Sequence, residues 1–457
     1  MTTVDFGRYK RIVQYFWDPE PTNDTDSDSP IWCLGKEYKA AKRAEPTITN
    51  TPPKDEDYVY AELPKPAQAA TPPESMASSF DLASGYDEQD ADTEDGGWPQ
   101  AFLDDFESKM WFTYRSNFPC IPRSQDPKAT ASMSLSVRLR SQLGDQAGFT
   151  SDTGWGCMIR SGQCLLANAL VMLRISRGEL TLWYGRSQVL NILLDWRRSS
   201  SNVEERKVLS LFADDPKAPY SIHQFVQQGS KICGKHPGEW FGPSATARCI
   251  QALTNINNDS GLKTYITGDG ADVYEDTFMS IAKPDGTKFY PTLILVGTRL
   301  GLDKITPVYW EALESSLKMP QSVGIAGGRP SSSHYFIGVQ SHSFFYLDPH
   351  HTRPALPLPE NLTDYSDEDI SSCHTRRLRR IHVKEMDPSM LIAFLIRDED
   401  DWHDWKSAIQ QVTGKAVIHI ADEDPALYGR SHERAGAIDE VESFDEDEGE
   451  EVMVLDE

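Results

Sequence analysis

One apolar helix constrains the fold of this chain more than any other stretch. From Met158 to about Arg174 the sequence carries good helix formers and no proline. Between Cys164 and Leu173, Asn168 is the only polar residue. A helix that is apolar on nearly every side is normally buried in the middle of a domain. We therefore predict a central helix around which the other elements pack.

Cys157 stands where a glycine turn, with Gly154 and Gly156, meets the start of this helix. The first N–H groups of a helix have no intrahelical partner, and the helix dipole is positive there. Both effects favour a thiolate, which is the nucleophilic form of cysteine. Most free cysteines are small buried hydrophobes. Without a base elsewhere, Cys157 is therefore only a candidate nucleophile.

Composition narrows the class of protein. The 457 residues, 39% of them hydrophobic, suffice for one large domain or two modest ones. A net charge of −25 without a dense Lys/Arg stretch argues against nucleic-acid binding. Seven cysteines at scattered spacing fit a reducing compartment and give no zinc signature. No signal core or membrane-length apolar run is present, so we expect a cytoplasmic protein.

Composition also divides the chain. Residues 1–41 form an N-terminal segment with a short ordered patch, and an amphipathic helix is predicted over 1–18. Residues 42–103 are rich in Pro, Ser and acidic residues and poor in aliphatics, so we predict a disordered insertion. Residues 104–412 form the predicted folded domain, and 413–457 an acidic, mostly disordered tail.

The two halves of the predicted domain differ. Residues 104–255 read as mainly helical and 290–400 as strand-rich, which indicates α+β architecture. Besides the central helix, we predict helices at Glu179–Trp196, Val203–Phe212 and Ser221–Ile232. Strands are predicted at Thr292–Val296, His334–Val339, Ser343–Leu347, Arg380–Val383 and Leu391–Ile396.

A base for Cys157 can come from a predicted hairpin in the second half, with its turn at residues 340–342. Asp348 follows the second strand and precedes a proline, which favours extended backbone. In extended chain, Asp348 and His350 point to the same face, so the carboxylate can orient the imidazole. His334 begins the first strand and could be oriented by the same carboxylate. The spacing leaves both histidines open as the base.

A metal site made of Asp348, His350 and His351 is a weaker interpretation of the same residues. Adjacent histidines in a strand diverge, and no fourth ligand lies nearby in the sequence. We therefore predict no metal and no cofactor.

The motifs Gly154–Gln163 and Tyr346–His350 resemble those of the autophagins, the autophagy-related cysteine peptidases. Further matching motifs occur in the same order at Ile31–Tyr38, Trp111–Pro119, Tyr220–Gln224, Trp240–Pro243, Gly327–Pro330, Asp387–Ser389 and Asp400–Trp405. The resemblance covers residues 31–38 and about 105–412, and it implies a papain-like fold.

The resemblance also implies roles for individual residues. Cys157 would be the nucleophile, and Asp348 would orient His350, which favours His350 over its rival. Tyr114 would donate its hydroxyl to the oxyanion. The positions of Trp240, Gly327 and Gly328 would correspond to a tryptophan and a mobile loop that cover the entrance to the site.

The implied activity is cleavage after a C-terminal glycine of the ubiquitin-like autophagy modifier. The enzyme would mature the modifier precursor and release the modifier from phosphatidylethanolamine during autophagosome formation. We expect a monomer in the cytoplasm, with a nuclear pool also compatible, that visits autophagic membranes through its lipidated substrate. The alternatives are a protease for another ubiquitin-like modifier and a non-catalytic adaptor that binds the modifier.

A short modifier-binding motif is predicted in the insertion. An aromatic residue followed three positions later by an aliphatic one, beside acidic residues, occurs at Tyr60 and Leu63. So short a pattern often arises by chance. The tail patch at Val452–Leu455 lacks the aromatic residue.

Overall fold

The computed structural model describes residues 20–23, 29–39, 96–135, 137–139, 148–175, 200–268, 270–329 and 332–425. Several predictions fall outside these ranges: the helices at 1–18 and Glu179–Trp196, the motif at Tyr60 and Leu63, the tail patch at Val452–Leu455, and nearly all of the insertion at 42–103. They stay predictions.

The predicted central helix is confirmed. The helices of the described residues are α1 (Gln100–Glu107), α2 (Pro127–Ala131), α3 (Cys157–Arg174), α4 (Ser200–Leu211), α5 (Ile222–Gln228), α6 (Pro243–Ile256), α7 (Glu275–Ala282), α8 (Trp310–Lys318), α9 (Asp367–Ser371) and α10 (Glu399–Gln410). A π-helical turn at Gly229–Cys233 extends α5. Every residue of α3 from Cys157 to Val171 is buried. The apolar character of this helix after Cys164 thus reflects contacts on every face.

A nine-stranded sheet forms the body of the second half. Its strands are β1 (Ile31–Cys33), β2 (Lys36–Tyr38), β5 (Lys263–Ile266), β7 (Thr292–Arg299), β8 (Ser322–Arg329), β9 (Ser332–Gln340), β10 (Ser343–Leu347), β12 (Arg380–His382) and β13 (Ser389–Ile396). The order is β12-β10-β9-β8-β13-β7-β5. Only the β5–β7 pair is parallel within this path. The five strands predicted from the sequence all coincide with or overlap strands of this sheet.

Helices cover both faces of this sheet. In β9, eight consecutive residues are buried although neighbours point to opposite faces. Helix α3 packs against β8 and β9, α6 against β5, β7 and β13, and α8 against β8 and β9. Aromatic rings extend this packing, since Phe394 of β13 contacts Trp405 of α10 at a ring distance of 5.2 Å. Because both faces are covered, the strands read in the sequence as continuous apolar runs.

A three-stranded sheet, with two strands from the first half and one from the second, was not predicted from the sequence. It contains β3 (Arg115–Pro122), β4 (Gly148–Ser151) and β11 (Arg353–Pro354), in the order β11-β3-β4. Strand β11 pairs parallel with β3, at Arg353 opposite Arg115. A further pair joins β6 (Asp272–Tyr274) to β14 (His419–Ala421). The three-stranded sheet therefore joins the two halves of the chain.

The N-terminal patch belongs to the main sheet. Strand β10 pairs with β9 along one edge, and β8 pairs with the other edge as far as Phe336. Strand β1 then continues on that second edge, with Trp32 opposite Val339 and Cys33 opposite Gly338. The packed region also extends past the predicted domain limits, because α1 begins at Gln100 and β14 lies beyond residue 412.

One prediction about the second half is wrong. Gly327 and Gly328 were expected in a mobile loop, but they lie in strand β8, opposite His334 and Ser333 of β9. A Cβ atom on Gly328 would lie 1.9 Å from the carbonyl oxygen of Ser332. The glycines thus permit a close approach of two strands. The turn residues 330 and 331 lie outside the described residues.

Within the described residues, none of the helices is both long enough and apolar enough to cross a membrane.

Candidate active site

The loop before α3 is held by Asp152. Its carboxylate accepts hydrogen bonds from the backbone N–H of Arg115 at 2.6 Å and from Nε of Arg160 at 2.7 Å. Its backbone carbonyl accepts the N–H groups of Trp155 and Gly156. A Cβ atom on Gly156 would lie 2.3 Å from the Asp152 carboxylate, so only glycine fits there. These contacts fix the backbone that delivers Cys157.

Cys157 is the first residue of α3, as predicted, and Gly156 precedes the helix without a side-chain cap. The N-cap residue therefore leaves the N–H groups of the first turn uncapped, and the positive end of the helix dipole lies at Cys157. The residue is only 2% exposed. Its thiol contacts the imidazole of His350, the hydroxyl of Tyr114 and the backbone N–H of Ser333.

Asp348 orients His350. Nδ1 of His350 lies 2.6 Å from Oδ1 of Asp348, and the same oxygen accepts the backbone N–H of His350 at 3.0 Å. The Asp348 carbonyl in turn accepts the indole N–H of Trp111 at 2.8 Å. Nε2 of His350 lies 3.2 Å from the hydroxyl of Ser332. One imidazole nitrogen thus faces the carboxylate, and the ring also contacts the Cys157 thiol.

The three-stranded sheet brings Tyr114 to the same place. Tyr114 immediately precedes β3; its N–H donates to the Pro349 carbonyl at 2.8 Å, and its own carbonyl accepts from Arg353 at 2.9 Å. Its ring meets the His350 ring edge-on, with centroids 5.4 Å apart. Because β4 runs into the loop before Cys157 and β11 follows His350, this sheet holds all three segments in register.

The site shifts the pKa of its sulfur and imidazole in opposite directions. Burial raises the pKa of the Cys157 thiol. The hydrogen bond and positive charge of His350 lower it and contribute to a net shift that is downward. Burial lowers the pKa of His350, but hydrogen bonds with Asp348 and Cys157 outweigh this and raise it to about 9. The favoured state is therefore a thiolate beside an imidazolium.

The carboxylate and the phenol behave differently. Burial acts to raise the pKa of Asp348, but the hydrogen bond from His350 and the charge of His334 hold it well below its usual value. Burial, followed by the charge of Cys157, raises the pKa of Tyr114. Asp348 is thus an anion and Tyr114 a neutral hydrogen-bond donor at neutral pH.

His334, the rival base, lies beside the carboxylate of Asp348. Its Nε2 is 3.9 Å from Oδ1 of Asp348, and its ring packs against Tyr346 at 4.5 Å and against His350 at 5.2 Å. The sequence could not distinguish the two histidines because both flank Asp348. The hydrogen bond of 2.6 Å and the contact with Cys157 favour His350.

The structure gives the positions of the three residues that were expected to cover the entrance to the site. Trp240 is half-buried, close to the start of α6, and its indole nitrogen has no hydrogen-bond partner among the described residues. Gly327 and Gly328 lie in β8, beside the strand β9 that carries His334 and Ser333. Their role at the entrance to the site stays a prediction.

Sequence reasoning missed the residues that support the nucleophile. Arg160 is buried on α3, and it bonds Asp152 at 2.7 Å and Asp214 at 2.8 Å. Asp214 also accepts the backbone N–H of Leu356 at 2.8 Å. An arginine three residues after Cys157, just before the apolar part of a helix expected to be buried, was the available signal, because a buried charge requires a partner.

Cys164 has no comparable chemistry. It lies about two turns after Cys157 on nearly the same face of α3, where its sulfur accepts the backbone N–H of Phe112 at 3.1 Å. Burial raises the pKa of its thiol to about 12. It is therefore a structural thiol rather than a second nucleophile.

Among the described residues, one group of side chains is close enough to hold a metal ion: His334, Asp348 and His350, with one potential ligand atom each, all within 4.8 Å of one another. This differs from the sequence-derived set, because His334 takes the place of His351.

A buried thiolate facing an imidazole that a carboxylate orients is the arrangement of nucleophilic cysteine catalysis. With the α+β fold and the nucleophile at the start of the central helix, it defines the class of protein as a cysteine-type peptidase.

Comparison with known proteins identifies the family. The family model described as the peptidase C54 catalytic domain matches residues 99–408. The chain belongs to this family, the autophagins, which have a papain-like fold. It is 68% identical over 454 residues to a "Probable cysteine protease atg4" of Sclerotinia sclerotiorum, covering 99% of this chain and 100% of that protein. It is 54% identical over 478 residues to the "Cysteine protease ATG4" of Gibberella zeae, covering 98% of both.

Proposed function

We propose that this peptidase cleaves after a C-terminal glycine of the ubiquitin-like autophagy modifier. It matures the modifier precursor and releases the modifier from phosphatidylethanolamine. The observation that carries the proposal is the continuous contact from the Cys157 thiol through His350 to Asp348, in a chain of the peptidase C54 family. We assign Cys157 as the nucleophile, His350 as the acid and base, and Asp348 as the residue that orients His350.

In the first step, the Cys157 thiolate attacks the carbonyl carbon of the substrate glycine. The tetrahedral intermediate carries negative charge on its oxygen, and the hydroxyl of Tyr114 donates a hydrogen bond to it. His350 then gives its proton to the leaving nitrogen as the C–N bond breaks. The products of this step are a free amine and a thioester between glycine and Cys157.

In the second step, water replaces the amine. His350, now neutral, takes a proton from the water as its oxygen attacks the thioester carbonyl. Collapse of the intermediate breaks the C–S bond, and Cys157 leaves as a thiolate beside the reprotonated imidazole. Asp348 keeps the tautomer and orientation of His350 through both steps.

One mechanism serves both substrates because each scissile bond is an amide that follows glycine. In the precursor, the leaving amine belongs to a short C-terminal peptide; in the conjugate, it belongs to phosphatidylethanolamine. Cys157 is only 2% exposed, which favours a thin, extended substrate tail. A side chain in place of the glycine would meet the cover that we assign to Trp240 and to the β8 segment with Gly327 and Gly328.

The cellular setting follows from these substrates. We propose that a cytoplasmic monomer without a cofactor meets autophagic membranes through the lipid-conjugated modifier. The motif at Tyr60 and Leu63 is proposed as an additional contact with the modifier. Tyr60→Ala should then weaken modifier binding while leaving cleavage of a saturating substrate unchanged.

The decisive assay uses a modifier with a blocked C-terminal extension and a panel of other ubiquitin-like proteins with matched extensions. We expect Cys157→Ala and His350→Ala to abolish cleavage and His334→Ala to retain it. Loss of cleavage only in His334→Ala would overturn the assignment of the base. Faster cleavage of another panel member would overturn the substrate. An adaptor would bind the modifier equally well with and without Cys157 and would cleave nothing.

The oxyanion role of Tyr114 has its own test. Tyr114→Phe removes the hydroxyl and keeps the ring that packs on His350. Loss of one oxyanion donor typically lowers kcat by about 10²–10³. We expect such a loss with little change in KM, measured by steady-state kinetics on the same substrate. A KM effect with unchanged kcat would contradict the assignment.

A further inference from the structure

The side chains of His334, Asp348 and His350 lie close together in the catalytic site, with one potential ligand atom each within 4.8 Å of the others. Oδ1 of Asp348 lies 2.6 Å from Nδ1 of His350 and 3.9 Å from Nε2 of His334. We propose that these three side chains bind Zn²⁺ as a reversible inhibitor of the peptidase.

The donor set suits this ion. Two imidazole nitrogens and one carboxylate oxygen, with an open fourth position for water, are a ligand combination that Zn²⁺ takes in hydrolases. Bond lengths of about 2.0–2.2 Å place tetrahedral ligands about 3.3 Å apart. To reach this geometry, the distance of 2.6 Å between His350 and Asp348 must increase, and the distance of 3.9 Å between His334 and Asp348 must decrease, by similar small amounts.

The fold presents these ligands on rigid elements. His334 lies on β9 and Asp348 follows β10, and these strands pair at Tyr335 opposite Leu347, one residue away from each ligand. The His334 side chain is 7% exposed and packs on Tyr346. The Asp348 and His350 side chains are 24% and 27% exposed, so an ion reaches the site from solvent.

Bound Zn²⁺ stops the reaction without touching the sulfur. The ion takes the Nδ1 lone pair of His350, so the proton that Nδ1 shares with Asp348 is released to solvent. The Asp348 carboxylate then ligates the ion and no longer orients the ring. An imidazole held in this way cannot shuttle a proton to the leaving amine. Zn²⁺ is thus an inhibitor here and not a cofactor.

Binding is measured by calorimetric titration of Zn²⁺ into the full-length chain with Cys157→Ala, in excess Mg²⁺ to occupy carboxylate-only sites. In this background, His334→Phe removes one ligand atom, and Asp348→Asn replaces the anionic carboxylate by a neutral amide, which is a much weaker ligand for Zn²⁺. We expect each to weaken binding about tenfold or more, the scale of effects from disturbed metal shells. His351→Phe is the matched control, because it removes the neighbouring histidine, and it should bind as the parent does. Thermal melts followed by circular dichroism establish that each variant is folded.

Inhibition is measured separately in chains that retain Cys157, each relative to its own rate without Zn²⁺. This arm rests on the proposed activity, whereas the binding arm does not. His334→Phe should raise the half-inhibitory Zn²⁺ concentration about tenfold, and His351→Phe should leave it unchanged.

Four results would overturn the proposal. Binding of Zn²⁺ by the chain that retains Cys157, but not by Cys157→Ala, would assign the ion to the thiolate. Equal weakening by His334→Phe and His351→Phe, or none by Asp348→Asn, would assign it to other residues. An absence of binding both in the chain with Cys157 and in Cys157→Ala would exclude the site altogether.

Discussion

The titration of two residues links the geometry of the site to its pH dependence. The thiol of Cys157 and the imidazole of His350 lie in direct contact, and each stabilises the charged form of the other. Such a pair titrates in two macroscopic steps that belong to the pair. Between the two steps lies the ion pair that performs the chemistry.

We expect a bell-shaped pH dependence of kcat/KM. The rate rises as the thiol ionises below its ordinary pKa of 9.0, and it falls as His350 loses its proton near pH 9. Asp348→Asn should move the alkaline limb to lower pH, because the hydrogen bond to Asp348 raises the pKa of His350. The profile is measured with a modifier precursor, and an alkaline limb that does not move in Asp348→Asn contradicts this account.

Arg160 is the second residue with a large expected effect. Its side chain is 1% exposed, and it neutralises Asp152 and Asp214, which are equally buried. Arg160→Met should reduce the free energy of unfolding by about 3–5 kcal/mol, because it leaves two buried carboxylates unpaired. Urea unfolding measures the loss.

The control for Arg160 is an exposed pair. Lys283 and Glu399 form a salt bridge at 3.0 Å, with side chains 22% and 51% exposed. Lys283→Met should cost about 0–1 kcal/mol. Equal losses in the two variants would show that burial of the Arg160 cluster carries no special energy.

At the scale of elements, the contact between α3 and α6 depends on a missing methyl group. A Cβ atom on Gly162 of α3 would lie 2.4 Å from Cγ2 of Thr246 on α6. The two helices therefore pack closely at the second turn of α3, the helix that begins with Cys157. In an exposed helix, replacing glycine by alanine stabilises by about 1 kcal/mol. At Gly162, the clash of an added methyl group with Thr246 is destabilising and opposes this gain.

We predict that Gly162→Ala destabilises the fold by about 1–3 kcal/mol, since overpacking outweighs helix propensity. Thr246→Ser removes Cγ2 and keeps the hydroxyl. The double variant should recover most of the loss, so a double-mutant cycle by urea unfolding should show strong coupling. Additive effects, or a stabilised Gly162→Ala, would contradict the contact.

The elements also show how far the sequence could predict this fold. Helix α3 and strands β7, β10 and β13 were predictable because their apolar runs are local signals. Strand β3 contains Pro119 and Pro122, and β8 contains three glycines, so neither has the composition of a strand. These segments are strands because neighbouring strands pair with them. For β3, the partner β11 lies more than two hundred residues later in the chain.

The same limit applies to the site. Cys157 and the Asp348–His350 pair carry local patterns, a glycine turn before a helix and two side chains on one strand face. The choice between His334 and His350 depends on the register of β9 against β10, which spacing does not give. Asp152 and Arg160 act through contacts that only the folded chain makes.

At the scale of the whole molecule, the chain closes on itself through the hairpin of β1 and β2. Side chains of this hairpin are buried, namely those of Ile31, Cys33, Leu34 and Tyr38. The N–H groups of Leu34 and Gly35 donate to the carbonyls of Ile337 and Leu317, at 2.9 and 2.8 Å. The N-terminal segment thus completes the core of the strand-rich half.

A chain that begins at residue 40 should therefore lose stability. Removal of the hairpin takes four buried side chains out of the core and breaks the backbone hydrogen bonds to Ile337 and Leu317. We expect a net loss of a few kcal/mol in urea unfolding. A chain that begins at residue 20 keeps the hairpin and should match the full-length protein; equal losses in both would contradict the role of the hairpin.

The depth of the nucleophile has a consequence for chemical labelling and inhibitor design. The surface thiol of Cys120 accepts a reagent of any size, whereas the ionised sulfur at residue 157 lies below the surface. Reactivity and accessibility thus belong to different cysteines. A bulky maleimide should tag Cys120 first, and a selective covalent inhibitor needs a small electrophile on a slim, unbranched arm.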